Sequence, residues 1–167
     1  MDEMIGRFPS VPLDMGWIIK GRLAVGAHPG RTGDAEQYLK ALGLMGFNAI
    51  VTLTSDSLDR PLLEELDFRS LHIPIQDWAA PTKDQADRAS EFIHECLEDD
   101  LQLYVHCYAG YGRAGTILAA YLVKMHGKDP FEAIDQVRHA RPGAIESQEQ
   151  ERFVAAYALA LQATELQ

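Results

Sequence analysis

A three-layer α/β fold, with a central sheet of four to five strands flanked by helices, is predicted for this chain of 167 residues. Three observations predict it. Short aliphatic segments alternate with helical ones in the first half, and helical periodicity dominates the second. The run Leu101-Gln102-Leu103-Tyr104-Val105 reads as a buried strand and leads into a glycine-rich turn at its carboxyl end, where open α/β sheets place their ligands. With 47% hydrophobic residues and no linker or repeat, the chain is expected to form one domain over residues 1–167.

In chain order, residues 21–26 (GRLAVG) and 48–53 (NAIVTL) read as strands, with a helix over 34–45 between them. Residues 68–75 and 101–106 supply two further strands. Helices are expected over 83–97, 114–126, 130–140 and 148–160. Three of their starts are explicit. Asp129-Pro130-Phe131-Glu132 offers an N-cap, a first-turn proline and a carboxylate, while Thr82 to Gln85 and Ser147 to Gln150 are capping-box patterns.

Charge narrows the partners. A formal net charge of −10 disfavours nucleic acid and anionic membranes as partners, because phosphate contacts need basic surface. The first twelve residues, MDEMIGRFPSVP, have no apolar core of a signal peptide, and no stretch has the length needed to cross a membrane. Two cysteines, Cys96 and Cys107, make no disulfide framework, so a reducing, cytoplasmic setting is expected.

The chemistry concentrates in His106-Cys107-Tyr108-Ala109-Gly110-Tyr111-Gly112-Arg113. Small residues at Ala109, Gly110 and Gly112 let the backbone curl, so that the amides of residues 108–113 can converge on one anion. The apolar run AGTILAAYLVKM that follows reads as a buried helix whose positive end reinforces the same site. A thiol in such a field ionises more readily than free cysteine, whose pKa is about 8.5. Arg113 adds a planar, permanently charged fork suited to two phosphate oxygens. An inert core cysteine needs neither the glycines nor the cation.

His106, Cys107, Gly110, Gly112 and Arg113 together resemble the signature of the cysteine-dependent protein tyrosine phosphatases: His-Cys, five residues, then Arg. The order of the other elements extends this resemblance over about residues 16–160, closest to the small atypical dual-specificity and archaeal-type branch. The resemblance implies a three-layer phosphatase fold and a phosphomonoester hydrolase that needs no metal or other cofactor. Cys107 would be the nucleophile, Arg113 and the amides of Tyr108, Ala109, Gly110, Tyr111 and Gly112 would hold the phosphate, and His106 would support the loop. A phosphorylated protein or small phosphoester would be the substrate.

Such chemistry needs an acid to protonate the leaving oxygen. Asp77 is the chosen candidate, in a proline-containing loop between a strand and the Thr82 helix start that resembles the family's general-acid loop. Asp84 competes but sits in a first helical turn, where a carboxylate suits the dipole. Asp56 and Asp59 are weaker candidates. The segment from Arg141 to Gln150 resembles the short Arg-Pro-Gly connection of the small phosphatases, which implies that Gln150 positions the hydrolytic water and that Glu146 borders the site; Gln150 also has its capping role.

Two departures shape the expectation. Ala114 stands where many members carry a hydroxyl that assists the second step, which predicts either slower hydrolysis of the thiophosphate or compensation by the loop N–H groups, with Thr116 an ordinary helix residue. The loop lacks lysine, so highly anionic substrates are disfavoured, while Tyr111 could meet an aromatic ring. Cys96 reads as a buried helix residue. A weak phosphate-binding pseudophosphatase and a rhodanese-like sulfurtransferase remain as alternatives.

Overall fold

The computed structural model describes residues 12–166. The first eleven positions, most of the segment read above for a leader, lie outside the described residues. Eleven elements follow in order: β1 (Met15–Ile19), β2 (Leu23–Gly26), α1 (Ala35–Leu44), β3 (Ala49–Thr52), α2 (Arg60–Glu65), β4 (Arg69–His72), α3 (Lys83–Glu98), β5 (Leu103–His106), α4 (Gly112–His126), α5 (Pro130–Ala140) and α6 (Gln148–Glu165). The five strands form one sheet in the order β1-β2-β5-β3-β4. β1 is antiparallel to β2, and the other neighbours are parallel.

Both faces of the sheet are covered, and single strands show why. Leu103 and Val105 pack into one core with α3, α4, α5 and α6, while Tyr104 packs into a second with α1 and α2. Val51 and Ile50 divide in the same way. Near-continuous apolar strands are the signature of such a doubly covered parallel sheet. β5 lies at its centre, between β2 and β3, so the residues that follow His106 emerge in the middle of the molecule.

α4 is buried from Gly112 through Val123 and packs against α3, α5 and α6. An apolar surface all round is what lets one helix serve as the hub of four. Asp87 of α3 ties this group together. It accepts from Lys124 of α4 at 2.9 Å and from Tyr157 of α6 at 2.6 Å, and it pairs with Lys83. Its partial burial pushes the carboxyl up, but the bonds from Lys83, Tyr157 and Lys124 prevail and hold it down to about 2.

Several boundaries differ from expectation. β1 was not foreseen; it forms a hairpin with β2 through a turn in which Gly21 has φ +74° and the Arg22 amide bonds the Ile19 carbonyl. That turn also delays the expected strand at 21 to Leu23. α2 was missed, and Asp59, weighed as an acid, is its N-cap. The strand expected over 68–75 is regular only from Arg69 to His72; beyond it the Ile73 and Ile75 amides still bond the Thr52 and Leu53 carbonyls, two residues of advance against one, so the register slips.

Ile117 is fully buried at the centre of the larger core. Ile117→Ala should destabilise the protein by about 2–5 kcal/mol through lost burial and the cavity left behind, read from urea unfolding.

Candidate active site

β5 delivers Cys107 to the carboxyl edge of the sheet, and α4 begins five residues later. Across this loop every carbonyl has a partner. The Cys107 carbonyl is bonded by His106 Nδ1, that of Tyr108 by the His28 amide, and those of Ala109 and Gly110 by the Arg141 guanidinium. The Tyr111 carbonyl accepts from the Ile145 and Gly115 amides, and that of Gly112 from Thr116 Oγ1. In a planar trans peptide the N–H points opposite to its carbonyl. Six carbonyls tied back into the protein therefore turn six consecutive amides, Tyr108 through Arg113, the other way. Among the described residues none of these amides has a protein acceptor. Such a row of free donors at a helix N-terminus is an anion cradle.

Two glycines make the loop possible. Gly110 has φ +84°, and a Cβ there would lie 2.3 Å from the carbonyl of Gly26, so no side chain fits between the loop and β2. A Cβ on Gly112 would press on the Gln150 amide at 3.0 Å and the Glu146 carboxylate at 3.1 Å. Both predicted C-terminal residues thus lie against the loop.

His106 is fully buried, and its hydrogen bonds fix its tautomer. A carbonyl only accepts, so Nδ1 carries the proton that bonds the Cys107 carbonyl at 2.9 Å; Nε2 then accepts from the Thr52 hydroxyl at 2.9 Å. Burial pushes the imidazole down to about 3, outweighing the opposing pull of the Cys107 carbonyl. The ring is a neutral strut behind Cys107.

Arg113 is 5% exposed. One end of its fork is fixed, Nη1 donating to the Ile75 carbonyl at 3.0 Å, and Nη2 pairs with Asp77 Oδ1 at 3.3 Å. Nε is buried with no partner, an expensive condition that an incoming oxyanion would relieve. Asp77 is exposed, and its carboxylate also accepts from the Trp78 amide. Asp77 is thus brought to the same guanidinium that faces the anion site. Trp78 itself sits at φ +65°, a left-handed conformation that costs a bulky residue about 1–3 kcal/mol, and its ring is largely exposed beside the site.

Gln150 completes the Ser147 capping box and does more. Its Oε1 accepts from the Glu146 and Ser147 amides, and its Nε2 donates to the Ala79 carbonyl at 3.3 Å. Ser147 Oγ donates to the Trp78 carbonyl. The start of α6 therefore holds the segment that carries Asp77. Glu146 is exposed at the border of the loop.

The role of Arg141 was not foreseen. It is 6% exposed, holds two loop carbonyls, pairs with Asp14 and lies 4.2 Å above the Tyr111 ring. The face of Tyr111 is thus engaged by a cation inside the protein. Thr52 and Asp14 were also missed, since nothing local in the sequence pairs them with His106 or Arg141.

The remaining candidates fall elsewhere. Asp84 lies in the first turn of α3, and Thr116 spends its hydroxyl on its own helix. Burial pushes the Cys96 thiol up to about 11, and it lies before β5 whereas Cys107 lies after it, at opposite ends of the sheet. Among the described residues no cluster of three His, Cys, Asp or Glu side chains could hold a metal ion, and no helix is long and apolar enough to cross a membrane.

Comparison with known proteins identifies the family to which this fold belongs. A family model described as Swiss Army Knife protein, DSP-PTPase phosphatase domain (PTP-SAK), matches residues 12–154. The chain is 29% identical over 141 residues to dual specificity protein phosphatase CDC14AB of Danio rerio, covering 79% of this chain and 23% of that one. It is 32% identical over 120 residues to phosphatidylglycerophosphate phosphatase PTPMT1 of Arabidopsis thaliana, covering 71% and 36%. The chain spans about a quarter to a little over half of the length of the curated relatives it matches. The crystal structure of Tk-PTP in its active form superposes with a TM-score of 0.79 at 30% identity, covering 87% of this chain and 97% of that one. The family match supports the phosphatase expectation and gives none to the sulfurtransferase alternative. The chain belongs to the PTP-SAK family, as a phosphatase domain of the dual-specificity type.

Proposed function

We propose that the protein hydrolyses phosphomonoesters through a cysteinyl-phosphate intermediate. The observation that carries this reading is the row of six acceptor-free amides around Cys107, closed by the partnerless Nε of Arg113. In the first step Cys107 Sγ, as thiolate, forms a bond to phosphorus while the ester P–O bond breaks and Asp77 gives its proton to the leaving oxygen. In the second, water attacks phosphorus, the S–P bond breaks, Asp77 takes the water's proton, and inorganic phosphate departs. The amides and guanidinium stabilise the equatorial oxygens throughout, as preorganised donors that need no reorientation.

Gln150 retains one Nε2 hydrogen after its bond to Ala79, enough to orient the attacking water. Glu146 borders the cradle and disfavours additional negative charge on the substrate. With no lysine in the loop, a phosphorylated protein or a small, weakly charged phosphoester fits better than a polyphosphorylated one. The nucleophile requires a reducing compartment such as the cytoplasm.

Metal-free turnover of an aryl phosphate, with chelator and reductant present, tests the reading. Cys107→Ser should abolish it. Arg113→Lys, which keeps charge but loses the fork, should lower kcat by about 10²–10³-fold. Asp77→Asn should cost about 10²–10⁴-fold with an alkyl phosphate and much less with a nitrophenyl ester, whose leaving oxygen needs little protonation. No wild-type turnover despite tight tungstate binding would make the protein a binding module.

His106 also links stability to pH. The unfolded chain protonates this ring near its ordinary 6.5, the folded chain only near 3. Its contribution to stability is therefore complete above 6.5 and lost as pH falls towards 3. His106→Asn keeps an N–H for the Cys107 carbonyl and should remove up to about 1.4 kcal/mol per pH unit from the slope of unfolding free energy across that window. An unchanged slope in urea titrations would contradict the neutral strut.

A further inference from the structure

We propose that Arg141 is a positioning residue for catalysis: its fork holds the Ala109 and Gly110 carbonyls outward, and so aims the Gly110 and Tyr111 amides at the transferring phosphoryl group. The inference rests on the phosphatase reading of the loop and adds a determinant outside the Cys107–Arg113 segment.

The geometry is specific to arginine. Nη2 donates to the Ala109 carbonyl at 2.8 Å and Nε to the Gly110 carbonyl at 3.2 Å, two consecutive peptides gripped by one rigid plane. The third nitrogen, Nη1, is bonded to Asp14 Oδ1 just ahead of β1. Tyr111 stacks on the plane at 4.2 Å, within the range of a cation–π contact. The guanidinium is thus fixed from three sides: by the loop, by the chain before β1 and by an aromatic ring. Four of the six loop carbonyls are held by nearby backbone or by side chains adjoining the loop itself, namely those of Cys107, Tyr108, Tyr111 and Gly112. The two gripped by Arg141 include that of Gly110, whose φ of +84° lies in a region where glycine moves freely. Without the fork, nothing else bonded to these two carbonyls keeps their peptides from rotating. Flipping either would swap a donor for a carbonyl dipole facing the phosphate.

Asp14 supports the arrangement at long range. It pairs with Arg141, and Arg31 approaches its other oxygen at 3.8 Å. Its backbone amide donates to the Tyr38 hydroxyl, which bonds the Tyr104 hydroxyl, which in turn donates to the Ala27 carbonyl next to Gly26. The residue that orients Arg141 is therefore anchored to the same strand end on which Gly110 is seated.

The test compares wild type with Arg141→Met, Arg141→Lys and Asp14→Asn for kcat and KM on an aryl phosphate, inhibition by tungstate, and thermal midpoint. Arg141→Met should lower kcat by about 10²-fold and weaken tungstate inhibition, with KM changed much less, because the amides act mainly on the transition state. Arg141→Lys keeps the charge but can reach only one carbonyl, and should recover part of the loss. Asp14→Asn should shift both quantities in the same direction by a smaller factor. A lowered midpoint with unchanged kcat and tungstate affinity would reduce Arg141 to a structural residue, and full recovery by lysine would assign the effect to charge instead of the fork. If Arg141→Met does not fold, the lysine and Asp14 variants decide by the same criteria. Wild type that neither turns over nor binds tungstate would overturn the phosphatase reading itself, whereas normal wild type with indifferent variants overturns the positioning role alone.

Discussion

The structure depends on one rule of peptide geometry, that fixing a carbonyl fixes the opposed N–H. The cradle is built by tying back six carbonyls, and the ties arrive from β5 itself, the β2–α1 connection, α4 and the α5–α6 connection. Segments remote in the chain must therefore meet behind one short loop. A central strand supplies the position, since β5 has neighbours on both edges and helices on both faces. An edge strand could not gather partners from so many sides. The fold is thus a device for satisfying the back of a loop so that its front stays unsatisfied.

That distinction governs what the sequence reveals. The loop after Cys107 is legible because its determinants are local: the glycines, Cys107 and Arg113 fall within seven residues, and the helix that follows is apolar all round. The capping boxes at Thr82 and Ser147 are legible for the same reason, and both form with the reciprocal bonds that their patterns imply. Arg141 and Asp14 are separated by 127 residues. Asp14 is an ordinary charged residue in its own neighbourhood, and although Arg141 heads the Arg-Pro-Gly connection, only the closed fold makes them a pair. Thr52 and His106 become partners because β3 and β5 are in register at those positions. α2 fails for a different reason, six residues being too short for periodicity to separate it from loop, and β1 because it is a part-buried edge strand without the run of wholly buried residues that marks β2, β3 and β5. Even so, Asp59-Arg60-Pro61 carries the same cap and early proline that marked α5, and was the one readable signal left unused.

The cap does not exhaust Gln150, although the sequence poses capping and a second role as alternatives. A glutamine amide has an acceptor and two donors. Its oxygen serves the cap, and its nitrogen reaches the Ala79 carbonyl on the segment that carries Asp77. Burial makes this division strict, because the side chain is wholly enclosed and each polar atom needs a partner. The first turn of α6 is thereby fixed relative to Asp77.

The same economy explains the strain at Trp78. A left-handed tryptophan persists only where its surroundings over-determine it. Here its amide is held by the Asp77 carboxylate, its carbonyl by Ser147, and the next carbonyl by Gln150. Relaxing Trp78 would break the bond that orients Asp77, and with it the approach of that carboxylate to Arg113. The strained turn, the helix cap and the Asp77 carboxylate therefore form one mechanical unit, facing the cradle across the guanidinium. The cradle is rigid because its back is tied; Asp77 is placed because the turn bearing it cannot relax without losing three hydrogen bonds at once.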